Sequence, residues 1–171
     1  QRLDRTTRAG DSLVSGTPTP EETALWQRRF ASQANNRAWS LSEQRSRTGA
    51  EDEEMLQAAH AAKYFWSIVG NEKNRAHAAQ LLALVYSKLG WPLPASHYLS
   101  RSEPILLSDQ AEPWERALAH AVAASVAEAI GDSTAHRAHF REATEQVAAL
   151  SDPEDRAIIE ATLKVLPRPE E

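Results

Sequence analysis

The sequence predicts an all-α fold of about seven helices packed as antiparallel pairs. Two Ala/Leu-rich runs, residues 55–70 and 75–90, each end in glycine and are joined by four polar residues. Alanine, leucine and methionine favour helix, and glycine is the usual residue just past a helix C-terminus. Strand signals are scarce: the chain has no alternating β-branched run and no Asn-Gly or Asp-Gly hairpin. Helix start and stop signals recur along the rest of the chain.

Residues 1–20 carry few large apolar side chains and end Gly16-Thr17-Pro18-Thr19-Pro20. They are expected to form a mobile arm, with Arg2, Arg5 and Arg8 either solvated or set to meet an acidic partner. The first helix starts with Thr19 as cap, Pro20 at the first position, and Glu21 and Glu22 in the first turn. Trp26, Phe30, Ala34, Ala38 and Leu41 form its apolar stripe, and Gly49 is expected to close it near Thr48. The acidic residues 51–54 then fall in the first turn of the second helix, where carboxylates interact well with the helix dipole.

The second helix is expected to reach Val69, and the third to run from about Lys73 to Leu89. A fourth begins near Pro94, carries Ala95, Tyr98 and Leu99, and breaks or kinks at Pro104. After a polar loop at 108–113 come a fifth helix, 112–130, and a sixth, 133–150. Gly131-Asp132-Ser133 supplies a C-cap and then an N-cap. A seventh helix opens at Ser151-Asp152-Pro153-Glu154 and carries Ile158, Ile159, Leu163 and Leu166. The organisation is an arm (1–20), one helical domain (21–166) and a tail (167–171).

At 171 residues the chain is long enough to bury a core without staples. It has no cysteine, hence no disulfide framework and no thiolate metal site or nucleophile. No apolar run reaches the roughly 18 residues of a membrane span, so a soluble, cytoplasmic protein without a membrane partner is expected. The net charge of −5 argues against nucleic acid as the main partner.

The chemistry-bearing residues are few. His136, His139 and Glu142 recur at spacings of three, which suits a metal site on a helix face. No Glu lies three residues before any of the six histidines, however, and His-Glu-x-x-His is absent. His60, among alanines and before Tyr64, Phe65 and Trp66, suits a general base in a pocket or a core residue bonded to a neighbour. At least one of the three aromatics should pack on the first helix near Trp26 or Phe30. There is no Gly-x-Ser-x-Gly and no phosphate-cradling glycine loop. No catalytic residue, metal or cofactor is expected.

Leu82, Ala83, Tyr86, Leu89-Gly90, Ala95 and Leu99 have the spacing of a tetratricopeptide repeat. A second copy reads Ala123, Ala124, Ala127, Ile130-Gly131, Phe140 and Ala143, with His136 where a small residue belongs. Gly90 and Gly131 lie 41 residues apart, against roughly 34 in the family, with the excess at 108–113. The chain therefore resembles tetratricopeptide-like proteins over residues 21–166. Residues 34–39, Ala-Asn-Asn-Arg-Ala-Trp, and 60–70 also resemble a family of uncharacterised bacterial proteins, which implies no activity.

The resemblance implies a short α-solenoid: three helix pairs, the first ending at Val69, and a capping seventh helix. It also implies a concave groove lined by the first helix of each pair. Set in frame on Gly49, Gly90 and Gly131, the groove residues are Asn36, Trp39, Glu43 and Arg47, then His77, Gln80, Leu84 and Lys88, then Leu118, Ser125 and Glu128. Their mixed charge and single tryptophan suit a protein or peptide partner. The alternative for Trp39 and Leu84 is a core role between neighbouring pairs. The alternatives for the whole chain are a helical-bundle enzyme or metal protein, and a structural homo-oligomer.

Overall fold

The computed structural model describes residues 16–169, so most of the expected arm and Glu170 and Glu171 of the tail lie outside the described residues. Among the described residues seven helices follow one another: α1 (Pro20–Ser42), α2 (Gly49–Val69), α3 (Glu72–Lys88), α4 (Pro92–Leu106), α5 (Pro113–Ile130), α6 (Ser133–Ala149) and α7 (Pro153–Lys164). There is no strand among the described residues.

Local chemistry sets the helix ends. Thr19 Oγ1 accepts from Glu22 N while Thr19 N donates to the Glu22 carboxylate, and Thr48 with Glu51 repeats this reciprocal cap on α2. Asn71 with Asn74 does the same for α3. Gly90 and Gly131 take φ of 71° and 85°, as glycine past a C-terminus should. The turns close when Trp91 N donates to Tyr86 O and Asp132 N to Ala127 O, each at 2.9 Å.

Three expectations need correction. α1 ends at Ser42, six residues before Thr48, and Gly49 opens α2 instead of closing α1. The Thr48–Glu51 cap fixes the second helix there, and Arg47 Nη1 donates to Leu41 O and Gln44 O at the free end of α1. The apolar stripe of α1 buries only its later part. Ala38 and Leu41 are buried, whereas Trp26 and Phe30 are half exposed on a side that α2 meets through Phe65 but does not cover. α4 starts at Pro92 and contains Pro104, which sits at an exposed position within its last turn and ends the helix two residues later.

The helices pack in sequence. The closest partners are α1 with α2, α3 with α4, and α5 with α6. Odd-numbered helices also meet one another in order, α1 on α3, α3 on α5 and α5 on α7, while α2, α4 and α6 each pack on the helix that follows. α3 and α5 are buried on nearly every side, which their sequences permit because small and apolar residues occupy all faces. Ala83, Ala117, Ala121 and Ala143 let backbones approach around a core completed by Leu84, Val122, Val126 and Ile159. A second core joins α1, α2 and α3 through Leu41, Met55, Leu81 and Leu82. Trp39, Tyr86 and Tyr98 pack against both.

Candidate interaction surface

Two of the expected groove residues, His77 and Ser125, take part in a ladder between α3 and α5. His77 Nε2 lies 2.7 Å from Glu115 Oε1, and Lys73 Nζ lies 2.8 Å from Glu115 Oε2. The His77 ring stacks on Trp114, with centroids 5.5 Å apart and planes 5° from parallel. Further along, the Ser87 and Ser125 hydroxyls bond at 2.7 Å. Burial pushes the Glu115 carboxyl up, but hydrogen bonds from Lys73, the Glu112 backbone N–H and His77 outweigh it and hold the group below the ordinary carboxylate range.

This ladder buries much of the expected lining. Gln80, Leu84, Leu118 and Ser125 are buried between helices. Leu84 and Leu118 are core residues, and Ser125 is occupied by Ser87. Neither amide atom of Gln80 has a hydrogen-bond partner among the described residues. Trp39 is half-buried, and its contacts with both cores make it a wedge between the first pair and the rest.

Of the remaining members, Asn36 and Glu128 are exposed, and Glu43, Arg47, His77 and Lys88 are partly buried. Glu43 caps α1, and burial raises its carboxyl. Arg47 lies in the α1–α2 loop, 2.6 Å from Asp52 Oδ1. Lys88 Nζ donates to Val165 O at 3.2 Å, tying α3 to the segment after α7. Burial, helped by Arg47 and opposed by Glu128, lowers the Lys88 amine to about 8.

Beside these groups lies a cleft of about 720 Å³ that sequence reasoning missed. It spans the α1–α2 loop, α6, α7 and the tail. Arg45, Lys164 and Arg168 supply charge, and Phe140, Leu163 and Leu166 supply apolar surface. None of the three cations is ion-paired with a described carboxylate. Arg168 was legible only as a tail residue, and Arg45 as a helix residue, since neither spacing nor motif joins them.

The histidines do not converge as a metal-binding cluster of three or more ligands among the described residues. His136 is buried, with Nδ1 2.8 Å from Ala124 O and Nε2 3.0 Å from Pro167 O. His139 faces His120, Nδ1 to Nδ1 at 3.0 Å, instead of joining His136. His60 is bonded to Tyr86 Oη at 2.7 Å, as the neighbour-bonded reading expects, but at an exposed position. Phe65 packs on Phe30 with ring centroids 5.9 Å apart. No helix of the described residues is long and apolar enough to cross a membrane. No known protein family, curated protein or solved structure matches the chain.

Proposed function

We propose that the chain is a protein-interaction scaffold that takes an acidic, partly apolar peptide segment of a partner protein. The observation that carries this reading is the cleft in which Arg45, from the α1–α2 loop, shares one opening with Lys164 and Arg168 from the far end of the chain. Three cations among Phe140, Leu163 and Leu166 suit alternating acidic and apolar side chains, which gain both charge pairing and burial.

The sequential packing of α1, α3, α5 and α7 supports a short tetratricopeptide-like array with α7 as its cap. In that arrangement the ends of the odd-numbered helices present Glu43, Lys88 and Glu128 beside the cleft. The accessible groove is thus a rim of charges, and the cleft supplies its anchor.

Selection from a displayed peptide library tests the reading. Enriched peptides should combine Asp or Glu with Phe, Leu or Ile. The Arg45→Glu/Arg168→Glu variant should bind them about tenfold or more weakly while keeping its helicity. Enrichment of basic or uncharged peptides, or binding indifferent to both reversals, would overturn it.

A further inference from the structure

The outer side of the α1/α2 pair carries an apolar patch, distinct from the cleft residues. Trp26, Phe30, Tyr64 and Ile68 are 51%, 47%, 63% and 49% exposed. Trp26 stacks on Phe30 at 6.0 Å between centroids, so the rings form one continuous surface. The later pairs are enclosed: α3/α4 lies between α2 and α5, and α5/α6 between α4 and α7. The first pair packs onward mainly on α3 among the described helices. Apolar rings on an end face that the described residues leave exposed mark an interaction surface.

We propose that this face binds a second copy of the chain, with α1 antiparallel to α1 of the other copy about a point between Leu25 and Trp26. Glu22, Leu25, Trp26 and Arg29 follow the i, i+3, i+4, i+7 spacing of one helical stripe. A two-fold axis at that midpoint sets each Glu22 against the other copy's Arg29, and each Leu25 against the other copy's Trp26. The stripe is complementary to itself in charge and in shape class, as an isologous interface requires. A parallel arrangement in register would oppose Glu22 to Glu22 and Arg29 to Arg29.

The side chains are placed for this contact. The Arg29 guanidinium carbon lies 5.0 Å from the centre of the Trp26 ring, at the edge of the patch. Glu22 Oε2 accepts from Thr19 N at 2.8 Å, which leaves its other oxygen for a cation across the axis. Neither Glu22 nor Arg29 is ion-paired within the described residues. Phe30 adjoins Trp26, and Phe65 and Tyr64 continue the run of ring contacts onto α2.

Sedimentation velocity over a wide concentration range tests the proposal, and mixing two charge reversals makes it specific. The wild-type chain should pass from monomer to dimer mass. Glu22→Arg and Arg29→Glu should each weaken the dimer about tenfold or more. An equimolar mixture of the two variants should dimerise again, because both cross-pairs are then opposite in sign. Glu22→Arg also removes the cap on Thr19, so circular dichroism of each variant accompanies the measurement. A wild-type chain that stays monomeric, a dimer indifferent to both reversals, or single reversals not rescued by mixing would each overturn the proposal.

Discussion

His77 and Glu115 bond across α3 and α5 at 2.7 Å, thirty-eight residues apart in sequence, and Ser87 and Ser125 repeat the same separation at 2.7 Å. Two rungs with one offset require the two helices to run side by side in the same direction. Each then opens one antiparallel pair, and residues thirty-eight apart lie level with one another. The Glu115 carboxylate is the anchor of the ladder, because it joins α3 to α5 and also accepts from Glu112 N at the start of its own helix.

Glu115→Ala leaves Lys73 and His77 without their partner and opens a buried gap. It should cost about 2–4 kcal/mol at neutral pH, measured by chemical unfolding. The acid limb of the stability curve follows from the direction of the shift. Because the folded carboxyl titrates below its unfolded value, its contribution is complete above the ordinary carboxylate range and disappears as pH falls through the lower folded value. Glu115→Gln should flatten that limb.

Gln80 is level with Leu118 in the same register, and its amide is buried without a partner among the described residues. Gln80→Met preserves length and removes both polar atoms. The variant should be more stable by about 1–2 kcal/mol in a denaturant titration, since an unmatched buried amide costs about that much. A loss of stability would show that the amide is satisfied in solution.

Trp39→Ala should lower stability by about 2–4 kcal/mol, because the ring fills space between the two cores. Thermal unfolding checks the size of the loss. Trp39→Phe should recover more than half of it by restoring most of the buried ring.

Lys88 gives an alkaline signature. Its folded value of about 8 lies below the ordinary lysine range, so the unfolded chain holds the proton over the interval between them. The contribution to stability is complete above the unfolded value and is lost as pH falls through about 8. The melting temperature of the wild type should therefore rise from pH 8 toward pH 10 relative to that of Lys88→Met.

Most of the architecture was legible in the sequence because helix ends are set by nearby residues. The Thr19 cap and the φ of Gly90 and Gly131 depend only on local chemistry. The end of α1 was not, because Gly49 carries the same letter as a closing glycine while Thr48 and Glu51 make it an opening one. Helical spacing aligned His77, Gln80 and Leu84, but it could not tell the α5-facing side from an open one. The cleft was hidden because Arg45 and Arg168 are brought together by the packing of the whole chain, not by any local period.

Hydrogen–deuterium exchange with and without a selected acidic peptide addresses the interaction account most directly. The cleft joins residues from the two ends of the helical domain, so binding there must protect both together. The account predicts reduced exchange in residues 43–48 and in residues 163–168 in the same titration, with little change along α4. Protection of only one of these segments, or protection centred on α4, would contradict it.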